Sequence, residues 1–351
     1  MMIKCKENVK GIWLLVVVLN ISFVQLGCDV KKVVLRQKKY SETKMLMGTV
    51  VQMDVCRNQA DISEIESAYN DIWERLETIS WRMNVADESS DIAKINKSGL
   101  EAILIAPDTY HVLRESIDLS RSTKGAFDIT VKPLMNLWRK AERNNILPSE
   151  TMVMKVQFLV DYEHIQLLGN HHVRLLKKWA KIDLGGIAKG YAVDEAARIF
   201  RKHGITSFFI DAGGDIYVGG KNCAGEPWRI GIRDPRDRSK TIDIVEVEDR
   251  AVVTSGDYEQ HYLIEGQKWS HIINPLTGYP QKGVISATVI APSAMEADAL
   301  ATALCVLGGG PGTKQINALK APHASLIISK QKSCAIKKFE SEEYKKYKYK
   351  K

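Results

Sequence analysis

A chain of 351 residues, 45% hydrophobic and 26% charged, has length for about two average domains and the composition of a globular protein, which excludes wholesale disorder. The formal net charge of +8 lies largely at the ends, in Lys31-Lys32, Lys38-Lys39 and Tyr344 to Lys351. No nucleic-acid-binding motif accompanies that charge, so a nucleic-acid partner is not expected.

Lys4, Lys6 and Lys10 precede an apolar run from Ile12 to Val24, the pattern of a leader rather than of a spanning helix. The run ends in Gln25-Leu26-Gly27-Cys28, which resembles a bacterial lipobox with Gln25 where leucine is usual. The expected layout is a lipoprotein-type signal peptide over 1–27 and a polar tether over 28–43, with Cys28 acylated. An ordinary secretory signal or an uncleaved anchor would export the remainder equally. Cys56, Cys223, Cys305 and Cys334 are scattered without CxxC spacing, so neither a metal cluster nor a disulfide framework follows from them. The basic tail, 331–351, reads as solvated and frayed, with some attraction to anionic lipid as the other reading.

Met45 to Val55 alternates and reads as a strand, with Gly48 marking a bulge or a close approach. Asp61 to Ser80 repeats its apolar residues at three and four, and Asp61 with Glu64 suits a capping box, so it reads as a helix. Trp81 to Ser90 is a polar loop, Ser90 to Asn96 starts a helical turn, and Pro107 opens a helix to about Thr123. Gly125 to Thr130 is a turn in which Asp128 satisfies its own backbone or serves a ligand. Leu134 continues into a charged helix or linker up to about Leu147. His164 to Leu168 and His172 to Lys178 read as a hairpin, with His171 and His172 as turn residues lacking metal-ligand spacing.

The stretch from Asp183 to Gly190 follows a predicted strand, Trp179 to Leu184, and precedes a predicted helix, Tyr191 to His203. Strand, glycine turn and helix start form an arrangement that suits a phosphate or pyrophosphate, with Lys189 adding a cation. The other reading is a tight connection whose glycines only allow close packing. Strands are expected at Ser207 to Ile210, Ile216 to Val218, Trp228 to Arg233, Ile242 to Val247 and Val284 to Ile290, with a second glycine turn at Asp211 to Asp215. His271 falls at a strand end, a common place for a functional side chain. Ser293 with Glu296 reads as the cap of a helix from Ala294 to Leu307. Within it Asp298 and Thr302 are four apart, hence on one face, among small and apolar neighbours. A hard cation such as Mg²⁺ would satisfy that pair. An Asp favoured by the helix dipole beside a Thr bonded to its own backbone would also explain it.

Taken in order, Met47-Gly48-Thr49, Ser90-Asp91-Ile92 with Asn96, Gly125 to Thr130 with Pro133-Leu134 and Trp138, Asp183 to Gly190, Asp211 to Asp215, Thr254-Ser255-Gly256, Ser270 to Gly278 and Ala297 to Thr302 resemble the ApbE family of FAD:protein FMN transferases. The resemblance covers about Met45 to Ile328. It implies an α+β fold over 44–330, a single domain of two lobes with mixed or antiparallel sheets packed with helices. It also implies that FAD lies between the lobes and that FMN passes to a Thr or Ser hydroxyl, making a phosphoester and releasing AMP. Family FAD contacts carry over to Met47, Ala126, Phe127, Asp128, Asp183, Lys189 and Ile272, and metal positions to Gly186 through its carbonyl, Asp298 and Thr302. Some members have a second carboxylate where this chain has Ala301. Trp81 or Met83 would take the place of the family's flavin-contacting aromatic residue. The chemistry needs a group to assist the acceptor hydroxyl, for which His271 is the candidate and Asp298 the competitor. The implied partner is a flavoprotein subunit of a membrane redox complex. The implied location is the bacterial inner membrane through a lipid anchor, facing the periplasm or cell exterior. An Mg²⁺-dependent FAD pyrophosphatase, or a lipoprotein that binds FAD without chemistry, are the alternatives.

Overall fold

The computed structural model describes residues 37–57, 62–258, 260–319, 322–331 and 335–350. The leader, Cys28, Asp61 and Cys334 lie outside them.

β1 (Lys38–Leu46) and β2 (Thr49–Arg57) form a hairpin, followed by α1 (Ile62–Arg82), α2 (Asp91–Lys97), β3 (Ile103–Leu104), α3 (Pro107–Ser122), α4 (Lys132–Asn144) and α5 (Glu150–Gln157). β4 (Ile165–Leu168) and β5 (His172–Leu175) pair with β3 in a small sheet. α6 (Ala188–Lys202) leads to β6 (Phe208–Ala212), β7 (Asp215–Gly219), β8 (Trp228–Asp234), β9 (Asp237–Val247) and β10 (Arg250–Gly256). The hairpin β11 (His261–Ile264) and β12 (Gln267–Ser270) precedes β13 (Val284–Ala291), α7 (Ala294–Leu307), α8 (Gly309–Asn317), β14 (Ala324–Lys330), β15 (Ile336–Glu340) and α9 (Tyr344–Tyr347).

The main sheet has the order β1-β2-β6-β7-β10-β13-β14-β15, antiparallel throughout. Its inner strands are buried on both faces, so they alternate between two cores rather than between core and water. Ala251 and Val253 of β10 and Val289 of β13 join the larger core with α1, α6 and α7. Val252 and Ile290 point the other way, into a second core closed by β8, β9 and Tyr344. A third cluster, with Leu134, Trp138, Tyr262, Ile264 and Ile273, holds α4 against β11 and gives the smaller lobe. The architecture is thus α+β, with two lobes in one compact unit spanning Leu35–Lys351.

α7 is largely small or apolar, Glu296, Asp298 and Thr302 excepted, and packs on β10, β13 and α6. Its start is capped from α6: both carboxylate oxygens of Asp194 are used, accepting from Ser293 Oγ at 2.7 Å, Ala294 N at 2.8 Å and Met295 N at 2.9 Å. Ser293 Oγ in turn accepts from Glu296 N, as its spacing predicts.

Several expectations need correction. The predicted tether ends earlier, because Lys38–Leu46 is the edge strand β1. Most of its residues face water, so no alternation marks it. Met45 to Val55 is not one strand. Met47 (φ 52°) and Gly48 (φ 73°) form a two-residue turn with positive φ at both positions, the geometry that matches strand twist in hairpins. Trp179 to Leu184 is not a sheet strand. It contributes one bridge, Val131 to Lys181, and is clamped by Asn96, whose side chain accepts from Ile182 N and donates to Ile182 O. The basic tail is not frayed over its described residues. β15 extends the main sheet, and Tyr344 is fully buried with its hydroxyl donating to Asp243. The lysines there concealed apolar side chains that join two cores, Phe339 the larger one and Tyr344 and Tyr347 the second.

Cys56 and Cys223 form a disulfide, with Cα atoms 5.0 Å apart and 167 residues between them in sequence. It ties the end of β2 to the loop after β7. Closing so long a loop removes much entropy from the unfolded chain. Cys56→Ser with Cys223→Ser should lower the free energy of unfolding by about 2–5 kcal/mol, read by urea denaturation. An unchanged urea midpoint would show that the bridge adds nothing to stability.

Candidate functional site

A cavity of about 620 Å³ opens where the two lobes meet. Every one of the eleven site residues expected from sequence reaches it. Met47 comes from the β1–β2 turn, and Ala126, Phe127 and Asp128 from the loop before α4. Asp183, Gly186 and Lys189 come from the glycine turn and the first turn of α6. His271 and Ile272 follow β12, and Asp298 and Thr302 come from one face of α7.

The glycine turn is more occupied than its pattern suggested. Gly185 N donates to Asp183 Oδ1 at 2.8 Å, and Gly190 N, near the start of α6, donates to Asp298 Oδ2 at 3.2 Å. The helix start therefore already faces an anion, the chain's own Asp298 carboxylate. Lys189 Nζ lies 2.5 Å from Asp215 Oδ2 and 3.8 Å from Asp298 Oδ2. Burial first, and the like charge of Asp298 second, push the Asp215 carboxyl well above the usual carboxylate range. Two buried carboxyl groups and one half-buried ammonium thus form a cluster, of which Asp298 and Lys189 line the cavity.

Gly186 is held close to α7. A Cβ there would lie 3.3 Å from Thr302 Oγ1 and 3.4 Å from the Phe127 ring. Glycine at this position lets the backbone pass close to the Thr302 side chain. The Asp298 and Thr302 side chains offer oxygen, the donor type preferred by hard cations. Among the described residues, no three His, Cys, Asp or Glu side chains gather as a metal cage.

Asp183 is fixed by Lys132, whose Nζ donates to its Oδ2 at 2.8 Å in a buried pair. Asp128 is engaged by its own loop. Its Oδ1 accepts from Thr130 N at 2.7 Å and Thr130 Oγ1 at 2.6 Å, and its Oδ2 from Tyr162 N at 2.9 Å. Burial nevertheless outweighs those bonds and raises its pKa to about 6. Of Trp81 and Met83, Met83 is buried and lines the cavity, whereas Trp81 is exposed and donates to Ser89.

His271 is half-buried in the cavity wall. Its Nδ1 lies 2.8 Å from the carbonyl oxygen of Gln260, which only accepts, so Nδ1 carries the proton and Nε2 has the lone pair. Burial lowers its pKa from 6.5, and the nearby Lys189 charge adds to that. The imidazole is therefore neutral at pH 7.

Sequence reasoning missed Asp215, Lys132 and Gln260. Asp215 carried a signal: an Asp opening a strand beside a glycine turn that proves fully covered. Lys132 and Gln260 carried none, since their partners lie 51 and 11 residues away.

The model of the ApbE family matches residues 47–326. The chain belongs to the ApbE family. The match begins at Met47 and runs past Thr302, so the ApbE region contains all the cavity residues named above, while β1, β15 and α9 lie outside it. An FAD:protein FMN transferase of Vibrio cholerae is 32% identical over 286 residues, covering 80% of this ApbE chain and 85% of that protein. One of Salmonella typhimurium is 29% identical over 302 residues, covering 83% and 86%. The crystal structure of the Thermotoga maritima ApbE protein superposes with a TM-score of 0.79 at 32% identity, covering 89% of this chain and 100% of that one. The Vibrio cholerae flavin transferase ApbE gives 0.78 at 30% identity, covering 89% and 99%. The two-lobed α+β architecture is that of these relatives.

Proposed function

We propose that this ApbE enzyme transfers FMN from FAD to a Thr or Ser hydroxyl of a flavoprotein. The acceptor oxygen attacks the FMN phosphorus, the phosphorus–oxygen bond to AMP breaks, and the hydroxyl proton passes to His271 Nε2. AMP leaves and a phosphoester remains. One observation carries this reading: a neutral histidine with a fixed tautomer shares a cavity with an oxygen-only donor set on α7. The side chains of Asp298 and Thr302, with the Gly186 carbonyl, would hold Mg²⁺. When bound, such an ion offsets charge that develops on a pyrophosphate. Lys189, anchored between Asp215 and Asp298, adds a fixed positive charge, and Met47, Ala126, Phe127, Asp128, Asp183 and Ile272 would line the FAD itself.

The pH dependence follows from the His271 shift. A base must be deprotonated to act, and its pKa is below 6.5. Transfer should therefore rise with pH through a midpoint under 6.5 and level off by neutrality. His271→Ala should lower the rate by about 10²–10⁴ and remove that acid limb while FAD affinity is kept. A variant with parental rate and pH profile would rule out the assignment. Water in place of the acceptor would yield free FMN and AMP, and a binding protein would leave FAD intact.

The acceptor is expected to be a subunit of a membrane redox complex. Export to the bacterial cell envelope, with an acyl anchor at Cys28, is the proposed location. The Cys56–Cys223 bridge supports export, because disulfides persist in oxidising compartments. Among the described residues no helix is long and apolar enough to cross a membrane.

A further inference from the structure

The end of α5 and the loop after β5 carry large apolar side chains that the transfer chemistry does not use. Phe158 is 72% exposed, Trp179 68%, Met154 61% and Leu176 50%. Met154 and Phe158 are one helical turn apart at the end of α5, joined by the bond from Phe158 N to Met154 O. Lys177 Nζ sits 3.0 Å from the Phe158 ring centroid and so brings the 176–179 loop against α5. Lys178 Nζ lies 5.1 Å from the Trp179 ring. Trp179 has φ 74°, a disfavoured backbone conformation for a bulky residue, yet its ring is left in water. Nothing in the fold is gained from that exposure, since burying an indole is strongly favourable.

The two segments that carry these side chains continue into residues at or next to the cavity wall. Asp183, four residues after Trp179, lines the cavity. Gln157, which precedes Phe158, donates to the carbonyl of Leu276, next to Pro275 in the cavity wall.

The composition distinguishes possible occupants. Protein interfaces are depleted in lysine at their cores. Trp and Phe interleaved with Lys is the composition of segments that lie in the headgroup region. There the rings enter the acyl boundary and the ammonium groups remain with anionic phosphates. Lys155, exposed on α5, adds a third cation to the two segments. We propose that the Met154, Phe158, Leu176 and Trp179 patch, with its lysines, docks on an anionic lipid surface and holds the cavity mouth beside it.

The test uses the unacylated chain from Asp29 onward, so that no lipid anchor contributes. Co-sedimentation is measured with vesicles of phosphatidylcholine containing phosphatidylglycerol, and with phosphatidylcholine alone. The parent should bind the anionic vesicles and lose that binding in high salt. Lys177→Gln with Lys178→Gln should weaken binding about 30-fold, and Phe158→Ser with Trp179→Ser should abolish it. Unchanged FAD affinity and melting temperature in both variants show that the fold is retained. A parent that ignores anionic vesicles, or variants that bind as it does, would overturn the proposal. So would a concentration-dependent dimer lost in the aromatic variant without vesicle binding, which would assign the patch to a second copy of the chain. No catalytic step is read, so the result stands apart from the transferase reading.

Discussion

Asp298→Asn should reduce FMN transfer by about 100-fold or more while the protein stays folded. The substitution keeps shape and keeps an oxygen able to accept from Gly190 N, so the link between α7 and the start of α6 survives. What disappears is the charge. Asp298 supplies the only ionisable side chain among the three groups that would hold Mg²⁺, and a neutral amide is a poor ligand for a hard cation. The same change removes the like charge that, after burial, raises the Asp215 carboxyl. Lys189 then keeps its pairing with Asp215, at 2.5 Å. The loss should fall on the chemical step, with FAD still bound through the rest of the cavity. A variant that transfers FMN at the parental rate would remove Asp298 from the mechanism. A variant that loses FAD binding to the same degree would make its role one of substrate binding.

Gly190→Ala should cost about 3 kcal/mol or more in unfolding free energy and abolish transfer with it. A methyl group at this position would lie 2.3 Å from Ala294 O, 2.6 Å from Ala294 C and 2.7 Å from Met295 Cα. These are backbone atoms of α7, and no rotamer change relieves the clash. The helices must separate. Asp194, one turn further along the same face of α6, caps the N-terminus of α7 with three hydrogen bonds, which separation would stretch together. Asp298 and Thr302 ride on α7, so the site would shift with the helix. Urea denaturation gives the stability change. A parental midpoint would show that the α6–α7 contact is more pliable than its geometry implies.

Where sequence was informative, a local rule had been broken. Asp298 and Thr302 stand on a helix of alanines and leucines, which made them visible without any knowledge of what faces them. His271 was visible from its place at a strand end before a Pro and Gly turn. Gly186 and Gly190 were visible as a pair, but their reasons differ: one opens a path to Thr302 and the other lets two helices touch. Pairings set by tertiary folding were not legible. Cys56 and Cys223 meet across 167 residues with no spacing signal. Lys189 reads as a phosphate ligand in the glycine turn, yet its charge is held by Asp215 from a strand 26 residues away. β1 and the C-terminal strand went unseen because edge strands rich in lysine hide their periodicity. The ordered set of short motifs carried the family resemblance, because most of those motifs supply residues to the same cavity.

The central claim is tested most directly by incubating the chain from Asp29 onward with FAD, Mg²⁺ and an acceptor domain bearing a reactive Thr. The mixture is then run on a denaturing gel and viewed for flavin fluorescence, with AMP and FMN measured in parallel. A fluorescent acceptor band matched by released AMP, and absent with EDTA or with Asp298→Asn, is the predicted result. Free FMN and AMP with no labelled acceptor, or FAD left intact, would contradict it.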